Sequence, residues 1–289
     1  MKCDGLALSG GGIRGYYHLG AVDYIYKHCN PEEIKIFSGT SIGAAICLLL
    51  CVGYTPQEIF NYISRKKLTV NTINLSLMIQ EKGIVSLEPI MSLLTRMLER
   101  KRISKSITFG QLLEKTGKSL YIVGTNTSRN YNMEAVFCSE NYQDMQCLDA
   151  VRISCSFPVF FPTVQYNDDY YIDGGAVNNF PVDILSDKCQ YGIGIVLHKG
   201  DDTAYHGESF FEYIYKILVI PLEHINNVQC KRYGSEKNAN LKIIEVYPHK
   251  KISQFSDPDF PDKADMFIHG NESAKRCLKT EYIYVEGWQ

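Results

Sequence analysis

The chain has 289 residues, 45% hydrophobic and 21% charged, with a formal net charge of −2. That length and apolar content fill one large core, and the near-neutral charge balance excludes the basic surface of a nucleic-acid binder. Its 10 cysteines are scattered with no C-x-x-C pair, a pattern of reduced and mostly buried thiols, not of a small disulfide-built secreted chain.

Residues 5–9 read as a buried strand. Asp4 and the three glycines Gly10, Gly11 and Gly12 interrupt the first apolar run, so no signal peptide is expected. The glycine run continues as Ile13-Arg14-Gly15 and leads into a helix over 16–28, with Leu19, Val22, Ile25 and Tyr26 at helical spacing. Asn30-Pro31 closes that helix, and alternation over 33–38 predicts a second strand running to Ser41. Residues 42–51 read as a buried helix, and the apolar stretch 44–52 is far short of the ~20 residues that span a bilayer. A cytoplasmic or membrane-peripheral protein is expected.

Gly39-Thr40-Ser41-Ile42-Gly43 therefore lies where a strand turns into a helix. A serine whose hydroxyl must stand clear of a sheet needs a tight, strained turn, and side chains at the flanking positions would collide there; Gly39 and Gly43 meet that need. Ser41 is the candidate nucleophile.

From 56 to 115 the pattern is mostly helical, with a mixed segment over 68–85 and an amphipathic helix over 87–102. Ile90, Leu93, Leu94, Met97 and Leu98 form its apolar face, and such an insertion could act as a lid or cap. The basic cluster Arg96, Arg100, Lys101, Arg102 and Lys105 reads as a solvated helix end in preference to a lipid-head contact. Strands are predicted over 119–124 and 132–137, then over 191–198 and 241–247. An aromatic helix over 209–219 is expected to face the core, and the tail from 248 reads as polar with a short helix near 273–278.

Backbone amides of a glycine run at a helix N-terminus can hold a tetrahedral oxyanion without side-chain obstruction, which makes Gly10, Gly11 and Gly12 candidate donors. The same residues also satisfy the G-x-G-x-x-G of a dinucleotide site. That alternative expects an acidic residue at the tip of the second strand, where the Ser41 elbow stands instead. A P-loop fails as well, because Leu112 occupies the leading glycine position before Gly117-Lys118-Ser119.

Four segments in order carry a family resemblance: residues 10–15, the elbow 39–43, Arg152-Ile153-Ser154-Cys155-Ser156-Phe157-Pro158, and Asp173-Gly174-Gly175. The chain resembles the patatin-like phospholipases over roughly residues 3–181. The resemblance implies an α/β fold, a three-layer α/β/α sandwich with a mainly parallel central sheet. It also implies a Ser-Asp dyad in which Asp173 takes the proton of Ser41, with Gly174 and Gly175 letting the backbone approach. The implied substrate is a phospholipid or other acyl lipid, with peripheral membrane contact. A catalytic core over 4–186 is expected, with 187–289 packed on the same domain.

A conventional Ser-His-Asp triad is the alternative, since His198, His206, His224, His249 and His269 all follow Ser41 and Asp173. No motif singles any of them out, and His18 reads as structural. A lipid-binding protein of the same fold without turnover is the other alternative. Arg14 is expected to brace the glycine loop, and Ser9, Ser154 and Ser156 carry no chemistry. No His/Cys/carboxylate ligand spacing is visible, so neither a metal nor another cofactor is expected.

Overall fold

In the computed structural model, which describes residues 1–66, 82–199, 210–234, 240–250 and 257–279, the first strand β1 (Gly5–Leu8) is buried along its whole length. Burial on both faces is what a central parallel strand requires. The glycine loop and a short 3-10 turn lead to α1 (Gly15–His28), then β2 (Ile36–Thr40) and α2 (Ile42–Cys51). The second strand starts later than its alternation suggests, because Asn30 accepts the Glu32 amide and winds Pro31–Glu33 into a 3-10 turn.

Three helices follow among the described residues: α3 (Pro56–Ile63), α4 (Glu88–Arg100) and α5 (Phe109–Thr116). Thr55 with Glu58 and Thr108 with Gln111 form reciprocal capping boxes that fix where α3 and α5 begin. Met91, Leu93, Leu94, Met97 and Leu98 bury one face of α4 in the main core, so this helix packs as part of a layer and not as a lid. Ile90 of the expected face is only half buried, and Met91 takes its place. The mixed segment predicted over 68–85 lies outside the described residues up to 81.

The remaining elements are β3 (Ser119–Asn126), β4 (Glu134–Phe137), α6 (Cys147–Ser154), β5 (Val164–Tyr166), β6 (Asp169–Asp173), α7 (Asp183–Lys188), β7 (Gly192–Leu197), α8 (Phe210–Tyr233), β8 (Leu241–Val246) and α9 (Phe260–Lys279). Hydrogen-bonded neighbours run β5-β6-β3-β2-β1-β7-β8, with β4 also on β3. The pairs joining β3, β2, β1, β7 and β8 are parallel, and those joining β4, β5 and β6 are antiparallel. Leu6, Leu8, Ile193 and Ile195 point into the cluster shared with α1 and α2, while Ala7 and Val196 point into a second cluster with Leu185 of α7. The result is a three-layer α/β/α sandwich with a mainly parallel sheet.

One register detail places the chemistry. Val123 pairs with Thr40 of β2 and Val136 of β4, whereas Gly124 pairs with Ala135 of β4 and Asp173 of β6. A residue has two edges, so β2 and β6 share one edge of β3 end to end. Asp173 therefore occupies the register position directly beyond Thr40, where Ser41 would sit if β2 continued.

The tail does more than its polarity suggests. The short helix expected near 273–278 is the end of the 20-residue α9, which lies across α1. A methyl on Gly20 would strike the Phe267 carbonyl and one on Gly270 would strike that of Tyr17, so both glycines are needed for this close crossing. The last ten positions, 280–289, lie outside the described residues.

Candidate active site

Ser41 stands at the carboxyl end of β2 as the N-cap of α2, with φ 54° and ψ −126°. For a non-glycine residue this backbone is strained by about 1–3 kcal/mol and persists only where its surroundings over-determine it. They do. Ser154 Oγ accepts the Ser41 amide at 2.8 Å, and the Ser41 carbonyl accepts the amides of Ala44 and Ala45. A methyl on Gly39 would lie 2.6 Å from the Ala44 nitrogen, and one on Gly43 would lie 2.6 Å from the Ser9 carbonyl oxygen. Ser154, which lies in the third family segment and is not expected to carry chemistry, thus holds the backbone of Ser41.

Asp173 is buried at the end of β6. Its amide donates to the Ser156 carbonyl at 2.9 Å, and its Oδ1 accepts the Gly175 amide at 2.7 Å. Its Oδ2 is buried without a hydrogen bond of acceptable geometry among the described residues. Burial pushes the carboxyl from 3.8 up to about 7, against the Gly175 amide and the nearby Ser41 hydroxyl, which hold it down. A methyl on Gly174 would strike the Val123 carbonyl, and one on Gly175 would come 3.0 Å from Asp173 Oδ1, so both glycines admit the close approach. The Cys155 thiol also borders this pair: burial and the Asp173 charge raise it, while the Ser41 hydroxyl lowers it, and the net effect keeps it neutral.

The glycine loop lies against Ser41, since a methyl on Gly10 would come 3.4 Å from its Cβ. Gly10 itself is not a free donor. It gives its amide to the Asn179 carbonyl at 2.9 Å, which corrects its expected place among the oxyanion donors. Gly11 and Gly12, at the start of the 3-10 turn that feeds α1, make no such backbone bond among the described residues. Gly15 seats α1 on α2, where a methyl would meet Ile42. Arg14 braces the loop as expected, its Nε donating to the Gly11 carbonyl at 3.3 Å and its Nη1 to the His198 carbonyl at 2.8 Å. Ser9 holds the preceding residue, accepting the Leu197 amide at 3.0 Å through Oγ.

Two asparagines tie these pieces together without any motif to announce them. The Asn178 carbonyl accepts Thr40 Oγ1 at 2.8 Å, directly before the nucleophile. Asn179 anchors Gly10 and donates from Nδ2 to Asn226 of α8 at 3.0 Å. Among the described residues no histidine hydrogen-bonds to Ser41 or Asp173. His18 is buried, bonds through Nε2 to the Ser9 carbonyl, and is held neutral by burial at about 3. Burial opposes charging His198, but Cys230, Glu223 and Glu245 together raise it to about 11, where it is no base. His249 pairs with Asp265 and stacks on His269. His206 lies outside the described residues.

A strained serine at a strand-to-helix turn, a buried carboxyl beside it and a glycine loop at a helix start, all at the carboxyl end of a parallel sheet, define the class of α/β acyl hydrolases. The chain belongs to the patatin-like phospholipase family, whose model matches residues 6–186. It is 42% identical over 184 residues to a probable lipid hydrolase of invertebrate iridescent virus 6, covering 62% of either chain. That alignment thus spans less than two thirds of the relative's length. An uncharacterized protein of Acanthamoeba polyphaga mimivirus is 31% identical over 94% of this chain and 93% of its own. Among solved structures, VipD from Legionella pneumophila shares the fold with a TM-score of 0.56 at 14% identity, covering 97% of this chain and 67% of that one.

Proposed function

We propose that the chain is a serine acyl hydrolase that cleaves ester-linked fatty acids from phospholipids or related acyl lipids with a Ser41-Asp173 dyad. The observation that carries this is the buried Asp173 carboxyl, its Oδ2 without a hydrogen bond among the described residues and its pKa near neutrality, in the register position next to a strained serine. A carboxylate at the ordinary value is too weak a base for a hydroxyl, and burial narrows that mismatch.

Ser41 Oγ attacks the ester carbonyl as its proton passes to Asp173 Oδ2. The Gly11 and Gly12 amides hold the oxyanion, helped by the N-terminal end of α1. The tetrahedral intermediate collapses to an acyl-enzyme, and Asp173 returns the proton to the departing alcohol. Water then loses a proton to the same carboxylate and attacks the acyl carbon, and as the bond to Ser41 Oγ breaks Asp173 returns that proton to the serine and the fatty acid is released. These residues all lie within 4–186, the catalytic core; strands β7 and β8 and helix α9 complete its sheet and cover it.

A fluorophosphonate probe tests the enzyme. It is expected to label Ser41 and to leave Ser41→Ala unlabelled, and mixed micelles of phospholipid should release fatty acid. Failure of both in folded protein overturns the enzyme and leaves a lipid-binding protein of this fold.

Peripheral membrane contact is supported by α8. Its aromatic stretch, expected to face the core, instead exposes Phe210, Tyr213, Ile217 and Ile220 at 66, 44, 45 and 56%, a stripe at helical spacing. On its other side Tyr215 packs on Phe157 and Phe160, and Leu222 lies against Gly175 beside the dyad. A lipid surface met by the stripe would therefore hold the helix whose other side borders the dyad. Among the described residues no helix is long and apolar enough to cross a membrane. Ile217→Glu with Ile220→Glu is expected to cut partitioning onto phosphatidylcholine vesicles about tenfold or more, since each side chain contributes about 1.5–3 kcal/mol when fully buried. The vesicle hydrolysis rate should fall relative to that on a monomeric short-chain ester; equal loss on both would remove the membrane role.

A further inference from the structure

We infer that His198, Cys230 and Glu245 form a binding site for one zinc-like divalent cation behind the glycine loop, separate from the dyad. The topology brings these residues together from three elements. His198 follows β7, Glu245 lies near the end of β8 paired with Val196, and Cys230 sits in the last turns of α8. One ligand atom from each lies within 4.8 Å of the other two. Tetrahedral zinc bonds of ~2.0–2.3 Å put ligand atoms ~3.3–3.8 Å apart, so small side-chain movements close the site.

The imidazole is already set up as a ligand. Its Nδ1 faces Glu223 Oε1 at 2.7 Å, the carboxylate partner that metal-bound histidines commonly use to fix the tautomer. That leaves Nε2 for the ion. His198 is fully buried, and among the described residues its Nε2 lacks a hydrogen bond although Glu245 Oε2 is only 2.8 Å away; the contact is short but out of line for one. The other ligands are also supported from behind. Tyr247 donates to Glu245 Oε2 at 2.9 Å and stacks on the His198 ring at 4.6 Å with 11° between planes. The His198 amide is fixed on the Val246 carbonyl.

The donor set selects the ion. An imidazole nitrogen, a thiolate and a carboxylate suit zinc, whereas calcium and magnesium favour oxygen donors alone. Binding displaces the Cys230 thiol proton and the proton on His198 Nε2. The thiolate and the Glu245 carboxylate then cancel the dication's charge, so the occupied site carries no net charge on its three ligands and ion. Three protein ligands leave the fourth position to water. The spacing 198, 230, 245 matches no sequence signature, which is why the chain alone gives no hint of it.

The cluster also touches the catalytic loop, because Arg14 spans from the His198 carbonyl to the Gly11 carbonyl. Occupancy would stiffen the anchor of the loop that carries the oxyanion donors.

Cobalt titration of the chelator-treated, full-length chain tests the site. One equivalent should give four-coordinate d–d bands together with a thiolate-to-cobalt charge-transfer band, and zinc should displace it. Cys230→Ser should lose the charge-transfer band, while Cys277→Ser, which changes an exposed thiol, should keep it. Glu245→Gln should weaken zinc binding at least tenfold and Glu223→Gln by about 10–100-fold. These two side chains are partly exposed, so both variants report even where Cys230→Ser fails to fold. No stoichiometric cobalt binding, or zinc affinity unchanged in both glutamate variants, overturns the site.

Discussion

Asp173→Asn abolishes ester hydrolysis and, above neutral pH, yields a more stable protein. Loss of a positioned general base typically costs 10²–10⁴-fold, and in the proposed mechanism the same group serves both steps, so a fall in kcat of at least ~10³ is expected. The stability effect has the opposite sign. Burial raises the folded-state pKa of Asp173 from 3.8 to about 7. The folded protein therefore holds this proton longer than the unfolded chain does. The associated stability is complete below pH 3.8 and is lost as the pH rises through about 7. At 1.36 kcal/mol per pH unit, ionising the buried carboxyl costs at most about 4 kcal/mol. Asparagine keeps the acceptor for the Gly175 amide and never ionises. Melting at pH 8 should thus rise by up to ~10 °C in the variant, with the difference shrinking towards zero near pH 4. In the unaltered protein, kcat/KM should climb with pH and level off above about 7 as the carboxylate forms. A variant that keeps near-normal rates would remove Asp173 from the chemistry, and a downstream histidine would have to take its place.

What the residues alone could announce, and what they could not, follows from whether each contact is local. The elbow is local: Gly39, Ser41 and Gly43 all act within one turn, so strand, turn and helix were legible together. The glycine loop is local in shape but not in hydrogen bonding. Gly10 was a plausible donor until Asn179, far along the chain, took its amide. Asp173 in isolation reads as the start of an Asp-Gly-Gly turn, and only the order of the four family segments singled it out. Its location depends on β6 joining the edge of β3 just past β2, a pairing of strands far apart in sequence. Periodicity also found the apolar side of α8 but not the direction it faces. Aromatic residues at helical spacing look alike whether they meet core or solvent, and this helix has both. The polar tail hid a long helix because its seat on α1 is made by two glycines, Gly20 and Gly270, and by only a sparse apolar line, Met266, Ala274 and Leu278.

Gly43→Ala disrupts both the fold and the site, because the added methyl has nowhere to go. Gly43 lies in the first turn of α2, and its Cβ would come against the carbonyl oxygens of Leu8 and Ser9, the latter at 2.6 Å. Those atoms belong to the backbone at the end of β1, which is bonded to β2 and β7 on its two sides. No flexible side chain can yield, so either β1 or α2 must shift. Overpacking of this kind costs about 1–3 kcal/mol and more where backbone has to move. A melting temperature lower by ~10 °C is expected for a chain of this size. The shift also moves Ser41, whose amide, carbonyl and strained φ are set by the same turn, and an ångström of misplacement can cost ~10²-fold in rate. Gly53→Ala provides the contrast. Its φ of +86° makes alanine strained by about 1–2 kcal/mol, but nothing lies within 4 Å of the new methyl. That variant should lose a little stability and no activity. If Gly43→Ala instead melts and turns over like the unaltered protein, the turn has slack, and Ser41 is not held by close packing of β1 against α2.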